Sequence, residues 1–210
     1  MSRFTSPRSK QDALVVLVRH GESVVNVQGR MSSDVQGNPL TEKGVAQAEA
    51  IALELRRLKV GKIVSSPVLR ARQTADIISR GLGLEIEIGQ DERLRERGFG
   101  KLEGKLVQGY VWRFEKGTGV ETFESLSSRM NSFMGEAERG VIVAVSHGDT
   151  MRAPALGILG LDELSGFGIR AYNTNLAIIH VKNGDSRLIA FGVPIINDNL
   201  LERIPKKFRT

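Results

Sequence analysis

The sequence predicts an α/β fold in which a mostly parallel sheet is covered by helices on both faces. Residues 13–18 and 141–145 are continuously apolar, as expected for strands buried on both faces of a sheet. Segments with apolar residues at helical spacing alternate with these runs, which is typical of parallel strands joined by helical crossovers. Ligands bind such sheets beyond the carboxyl ends of the strands.

The elements between the two strongest strands are predicted from caps and periodicity. Thr41 is a suitable N-cap for a helix that runs to about residue 58. Residues 62–65 read as a short strand. Ser66 as cap and Pro67 at the first helical position then predict a helix that runs towards Gly81.

The rest of the chain continues the same alternation. Residues 84–88 alternate with period two and predict a strand, and Thr122 begins a helix that ends before Gly140. Residues 175–181 and 187–191 are predicted as closing strands. The charged, Gly-rich region 92–119 is predicted to be a long functional loop that covers one side of the site.

The charge and composition bound the class of protein. The chain of 210 residues has no Cys, which excludes a disulfide scaffold, and its net charge of +6 lies at the two ends. We therefore predict a basic tail at 1–12, one catalytic domain at 13–200 and a basic tail at 201–210. Solvated tails are the simpler interpretation, and contact with a polyanion or a membrane surface is the alternative.

Because the body carries no net charge, no nucleic-acid partner is expected. No targeting segment or membrane-spanning stretch is visible, so a cytoplasmic location without membrane contact is the default expectation. An oligomer is possible.

Two histidines follow the two buried strands. His20-Gly21 comes after the first strand, directly behind Arg19, and His147-Gly148 comes after the second. Glycine lets a bound group approach the backbone, and the helix N-terminal amides after each turn favour an anion. Taken separately, each histidine is more often a satisfied structural residue.

Two further segments complete a recognisable set. One is 65–75, SSPVLRARQTA, and the other is 94–104, LRERGFGKLEG. With RHGES at 19–23, Asn26, PLTEKG at 39–44 and SHG at 146–148, the chain resembles members of the histidine phosphatase superfamily, which includes cofactor-dependent phosphoglycerate mutases. The resemblance runs from about residue 14 to 181 in the family's order.

The resemblance implies a phosphoglycerate mutase-like three-layer fold and a phosphohistidine intermediate. His20 resembles the nucleophile and Glu96 the proton donor, while Arg19, Arg70 and His147 resemble the phosphate-binding groups. The phosphate-contacting positions are completed by Gly21, Asn26 and Gly148. Arg72 occupies a variable place in the motif and is predicted to face outward.

Elementary chemistry fits these roles. The planar fork of arginine binds phosphate through two parallel hydrogen bonds. A neutral nitrogen of His20 can attack phosphorus if the other ring nitrogen donates to a backbone carbonyl. Glu96 would protonate the leaving oxygen and then activate water, although in a loop rich in arginines it could also be a surface carboxylate.

Other interpretations of the same residues are weaker. His20, His147 and Glu96 could imitate a two-histidine, one-carboxylate metal site, but neighbouring Arg19 and Arg70 would repel a divalent cation. We therefore expect no metal and no cofactor. His180 lies in an apolar strand and is expected to be a packed or edge histidine.

The substrate class follows from a departure from the family's pattern. Only a short stretch separates Gly104 from Glu121, whereas mutases of the family carry an insertion there that gates a phosphorylated cofactor. This favours a phosphomonoesterase acting on small phosphorylated metabolites. Mutase-type phosphoryl transfer and a non-catalytic phosphate-sensing module remain the alternatives, although pure binding needs no proton donor. Trp112 and its aromatic neighbours could line a lid or pack in the core.

Overall fold

The computed structural model of the protein describes residues 11–107 and 117–210. The six strands are β1 Asp12–Arg19, β2 Val60–Ser65, β3 Gly89–Gln90, β4 Gly140–Ser146, β5 Leu176–Lys182 and β6 Asp185–Val193. The α-helices are α1 Val24–Val27, α2 Glu42–Leu55, α3 Leu69–Leu82, α4 Phe123–Gly135, α5 Gly148–Leu159 and α6 Asp198–Arg203. Short 3-10 turns occur at Glu92–Leu94, Gly100–Leu102, Ser165–Gly168 and Lys206–Phe208.

The strands form one sheet in the order β3-β2-β4-β1-β5-β6. The pairs β2–β3, β2–β4 and β1–β4 are parallel, whereas β5 and β6 add antiparallel pairs at one side. The predicted mostly parallel sheet is confirmed. In the pairing of β1 with β4, Arg19 lies opposite Ser146, so the two strands end side by side.

Helices cover both faces of the sheet, which explains why β1 is apolar at every position from Ala13 to Val18. Leu14, Val16 and Val18 pack in one core with α2 and α3. Ala13, Val15 and Leu17 pack in a second core with α4 and α5. The six side chains from Ala13 to Val18 are therefore buried, and the run without alternation is the sequence signature of a doubly covered strand.

Local caps define the helix starts. Thr41 accepts a hydrogen bond from the amide of Gly44 at 3.1 Å, and Thr122 accepts one from Ser125 at 3.2 Å, as predicted. The helix α3 instead begins at Leu69 with Val68 as N-cap, two residues after Pro67. The Ser66 hydroxyl accepts from the Val68 amide at 3.3 Å and also lies 2.8 Å from Nε2 of His147.

Residues 84–88 do not form the predicted strand, and only Gly89–Gln90 pairs with β2. Ile86 and Ile88 pack against the core beneath α2 and α3 without joining a ladder. The alternation therefore reflects side-chain packing of an extended segment and not hydrogen-bonded pairing.

The C-terminal residues pack onto the domain. Ile204 is fully buried and Phe208 is 4% exposed, both in the core with α2. The backbone also pairs there, because the Lys59 amide donates to the Phe208 carbonyl at 2.9 Å. This packing corrects the prediction of a solvated tail at 201–210. The basic residues there alternate with Ile204 and Phe208, whose apolar side chains are buried in the core.

At the other end, Gln11 and Asp12 already belong to the fold. The Gln11 amide donates to the Ala137 carbonyl at 2.9 Å, and Asp12 accepts from His180 at 2.9 Å. His180 also packs edge-on against Phe208. Residues 1–10 and the aromatic residues around Trp112 lie outside the described residues. No helix in the described parts of the chain is long and apolar enough to cross a membrane.

Candidate active site

The two histidines meet at the carboxyl ends of β1 and β4. Because these strands are adjacent and parallel, the rings of His20 and His147 lie with their centroids 5.1 Å apart. Both residues are buried, at 1% and 0% exposure. The predicted convergence of the two His-Gly pairs is therefore confirmed.

Two hydrogen bonds define the tautomer of His20. Its Nδ1–H donates to the carbonyl oxygen of Gly21 at 2.7 Å, because a carbonyl can only accept. On the other side of the ring, Nε2 accepts from the Nε–H of Arg70 at 3.1 Å. The lone pair of His20 therefore lies on Nε2, and the carbonyl that the sequence left unidentified is that of Gly21.

His147 is oriented by Ser66. The ring Nε2 and the Ser66 hydroxyl lie 2.8 Å apart, while Nδ1 lies 3.4 Å from an Nη2 of Arg70 that can only donate. In this arrangement Nε2–H donates to Ser66, and Nδ1 is directed to the arginine. The sequence predicts only a cap role for Ser66, because its partner His147 lies 81 positions away.

Arg70 connects several parts of the site from the first turn of α3. Besides the contact with His20, its Nη2 donates to the Ser32 carbonyl at 2.8 Å. Thr74, one turn later, accepts from the Gly21 amide at 3.0 Å and donates to the Arg70 carbonyl at 2.7 Å. The buried Nη1 of Arg70 has no hydrogen-bond partner among the described residues.

Arg19 provides a second guanidinium group beside the histidines. Its Nη1 donates to the Ala171 carbonyl at 2.7 Å, whereas its buried Nε has no partner among the described residues. Asn173 secures the same segment, because its side-chain amide donates to the His20 carbonyl at 3.0 Å. Two arginines therefore present buried N–H groups that remain available to an anion.

Glu96 is positioned by contacts with β4 and α5. Ser146 donates to the Leu94 carbonyl at 2.8 Å, and Thr150 donates to the Arg95 carbonyl at 2.6 Å. One carboxylate oxygen of Glu96 accepts from the Arg97 amide at 2.9 Å. Glu96 is therefore fixed beside the histidines and not displayed on the surface.

The site perturbs its own ionisation equilibria. Burial, with the nearby charges of Arg70 and Arg19, lowers the pKa of His20 well below its ordinary value, and the pKa of His147 falls for similar reasons. Burial, followed by the charge of Asp149, raises the pKa of Glu96. The environment therefore disfavours the charged forms of both imidazoles and of the Glu96 carboxyl group.

Several of these residues line a cavity of about 620 Å³, whereas His147 is not part of its lining and contacts Arg70 instead. It is lined by Arg19, His20, Arg70, Glu96, Asn26 and Gly148 of the predicted set. It is also lined by residues that the sequence analysis missed, above all Asp149, Arg152, Arg30 and Arg170. Asp149 and Arg152 follow His147-Gly148 within one turn of α5, and this proximity is the signal that could have found them. Phe99 and Val107 form part of the wall, as expected for the loop that covers the site.

Two predicted positions have other surroundings. Gly21 does not line the cavity, because its amide donates to Thr74 and a Cβ on it would lie 2.4 Å from the Gly44 carbonyl oxygen. We therefore correct its predicted phosphate contact to a close backbone approach to α2. Arg72 faces away from the cavity, as predicted, and donates to the exposed Gln36 at 3.3 Å.

The side chain of Asn26 is partly used by the protein itself. Its carboxamide oxygen accepts from the Ser23 amide and from Asn173, both at 3.1 Å. The amide nitrogen of Asn26 is therefore the group left to contact a ligand, as a hydrogen-bond donor. No group of three or more His, Asp or Glu side chains in the described residues is arranged to hold a metal ion.

The fold and the arrangement of the site are those of an enzyme that acts on phosphate groups. The chain belongs to the histidine phosphatase superfamily. The model of branch 1 of this superfamily matches residues 15–194. The predicted resemblance is confirmed. The matched range contains every residue of the proposed site.

Several relatives are similar along nearly the whole chain. A 2,3-bisphosphoglycerate-dependent phosphoglycerate mutase of Thermoplasma acidophilum is 32% identical over 196 residues, which cover 89% of this chain and 96% of the relative. Bacillus stearothermophilus YhfR is 27% identical with a TM-score of 0.76, over 86% of this chain and 97% of that chain. A phosphoserine phosphatase from Entamoeba histolytica, solved with 3-phosphoglyceric acid, is 25% identical with a TM-score of 0.72, over 85% and 96%.

Proposed function

We propose that this protein is a phosphomonoesterase that hydrolyses small phosphorylated metabolites through a phosphohistidine on His20. One observation carries the proposal. The lone pair of His20 Nε2 lies in a buried cradle where Arg19 and Arg70 have N–H groups without partners among the described residues, in the same cavity as Glu96. The superfamily membership and the phosphatase among the similar structures support it.

The first half-reaction transfers the phosphoryl group to the enzyme. His20 Nε2 attacks phosphorus, the ester P–O bond breaks, and the leaving oxygen takes the proton of Glu96. The arginines stabilise the charge on the equatorial oxygens, which is the main task of a protein in phosphoryl transfer. Arg70 Nε–H must turn from His20 to a phosphate oxygen when the lone pair becomes the attacking group.

The second half-reaction regenerates the enzyme. Glu96, now a carboxylate, takes a proton from water as the water oxygen attacks phosphorus, and the N–P bond breaks. His20 recovers its lone pair on Nε2, and inorganic phosphate leaves. The hydrogen bond from Nδ1–H to the Gly21 carbonyl is maintained throughout and stabilises the imidazole as it gains and loses charge.

The experiment is hydrolysis of 4-nitrophenyl phosphate by the purified protein in the presence of a chelator. We expect turnover that the chelator does not reduce, because the arginines supply the positive charge that a metal would otherwise bring. Turnover should be lost in His20→Asn and maintained in Arg72→Lys, a matched change outside the cavity. A protein without turnover that still binds phosphate would instead support the sensing module.

Mutase-type transfer is the second candidate, and the name of the Thermoplasma acidophilum relative favours it. Incubation with 3-phosphoglycerate and 2,3-bisphosphoglycerate separates the two activities. A phosphatase releases inorganic phosphate, whereas a mutase forms 2-phosphoglycerate without net release. Formation of 2-phosphoglycerate faster than phosphate release would overturn the hydrolytic assignment.

A further inference from the structure

A buried carboxylate of the cavity has no place in the reaction described above. Asp149 is the second residue of α5 and is only 7% exposed. Its Oδ2 atom is buried and has no hydrogen-bond partner among the described residues. An unpaired carboxylate oxygen at such a position costs free energy unless a ligand supplies a donor.

The other oxygen of Asp149 is tied to the protein. Oδ1 accepts from Arg152 Nη1 at 2.9 Å, and Arg152 Nε donates to the Ile169 carbonyl at 3.1 Å. Arg152 is thus fixed at both ends of its guanidinium group. This pair holds the Asp149 carboxylate in place at the wall of the cavity and leaves Oδ2 as its unpaired acceptor.

Oδ2 is unsuited to the transferred phosphoryl group, because two anionic oxygens in contact repel each other. The phosphoryl group has its own place among His20, Arg19 and Arg70. Glu96 marks the side of the leaving oxygen, and Asp149 lines the same cavity as Glu96. The negative charge of Asp149 also contributes to raising the pKa of Glu96. Asp149 therefore faces the leaving group.

We infer that Asp149 is a specificity-determining residue that selects phosphate esters whose leaving group carries a hydroxyl or an ammonium group close to the ester oxygen, by accepting a hydrogen bond on Oδ2. The inference rests on the proposed phosphomonoesterase function and names its substrate class. Phosphates of polyols and of amino alcohols meet this requirement. Simple alkyl phosphates leave Oδ2 unpaired and should be poor substrates.

The test compares esters that are matched in length. The first pair is sn-glycerol 3-phosphate and n-propyl phosphate, which differ by hydroxyl groups. The second pair is 2-aminoethyl phosphate and ethyl phosphate, which differ by an ammonium group. We expect kcat/KM of the wild type to favour the donor-bearing member of at least one pair by about tenfold or more. The pair that shows the preference identifies the donor as hydroxyl or ammonium.

Asp149→Asn is the decisive variant, because it keeps the acceptor for Arg152 and replaces the Oδ2 acceptor by an N–H donor. The preference should fall to within about threefold in this variant and in Asp149→Ala. Asp76→Asn, the same substitution at an exposed position of α3, should keep the wild-type preference. A thermal melt of each variant checks folding.

A wild-type preference below about tenfold in both pairs overturns the inference, and so does a preference that Asp149→Asn retains. If neither variant folds, the wild-type ratios decide alone. Failure of the proposed function looks different: 4-nitrophenyl phosphate would then not be hydrolysed at all.

Discussion

Replacing Glu96 by Gln separates its proposed acid role from an electrostatic or structural one. The amide keeps the size of the side chain and an oxygen that can accept from the Arg97 amide. Burial and Asp149 raise the pKa of Glu96, which favours the neutral form before the first step. The substitution removes the transferable proton and keeps the shape of the side chain.

The size of the effect depends on the leaving group. General acid catalysis contributes about 10²–10⁴-fold when the departing oxygen needs a proton. We expect Glu96→Gln to slow phosphorylation of His20 by that factor with a glycerol or sugar phosphate, whose alkoxide leaves poorly. With 4-nitrophenyl phosphate, whose phenolate leaves without a proton, the same step should change by less than about threefold.

Single-turnover phosphorylation is the required assay, because Glu96 is also the proposed base in hydrolysis of the phosphoenzyme. Wild-type or variant enzyme is mixed, in excess over substrate, with each phosphate ester. Release of the alcohol or phenol is then followed over a single turnover. Glu92→Gln, an exposed carboxylate in the same loop, is the matched control and should be silent with both substrates. An equal loss on both substrates in Glu96→Gln would refute the acid role.

Three further perturbations follow from the structure. Arg70→Lys should reduce kcat/KM by about 10²-fold or more, because a point charge replaces the two-pronged guanidinium group. Arg72→Lys should change kcat/KM by less than about threefold. Equal losses in the two variants would show that the helix face is assigned wrongly. Imidazole ¹⁵N shifts of His20 should report a protonated Nδ1 and an unprotonated Nε2 at neutral pH. Because the pKa of His20 is lowered, this neutral form should persist below pH ~6.5, where an ordinary histidine gains a proton. An imidazolium at pH ~6 would contradict the proposed nucleophile. Phe208→Ala should lower the free energy of unfolding, measured by urea titration, by about 3–5 kcal/mol. Lys206→Ala, at an exposed position, should lower it by less than about 0.5 kcal/mol. Similar small losses in both variants would support a solvated tail.

The parts of the fold that the sequence predicts well are those with local or doubly buried signals. The strand β1 is apolar from Ala13 to Val18 because it contacts a core on each face. Thr41 and Thr122 cap their helices through bonds to residues only three positions away. In contrast, residues 84–88 alternate like a strand but lack a ladder, since alternation alone does not specify a backbone partner.

The parts that the sequence misses depend on distant contacts. Gly21 has no room for a side chain because the Gly44 backbone lies close to it, and the Ser66 hydroxyl contacts His147. Both partners are far from these residues in the sequence. The cavity role of Asp149 emerges only when Arg152 fixes one of its oxygens. For His20, the pattern predicts a bond from one ring nitrogen to a carbonyl, but only the structure identifies that carbonyl as Gly21.

Trapping the phosphoenzyme tests the central claim most directly. The protein is mixed with a ³²P-labelled phosphomonoester in the presence of a chelator, quenched in alkali because phosphohistidine is acid-labile, and digested for peptide mapping. The mechanism predicts label on the peptide that contains His20, attached through Nε2, and no label in His20→Asn. Label on a serine or an aspartate, or a reaction abolished by the chelator, would contradict it.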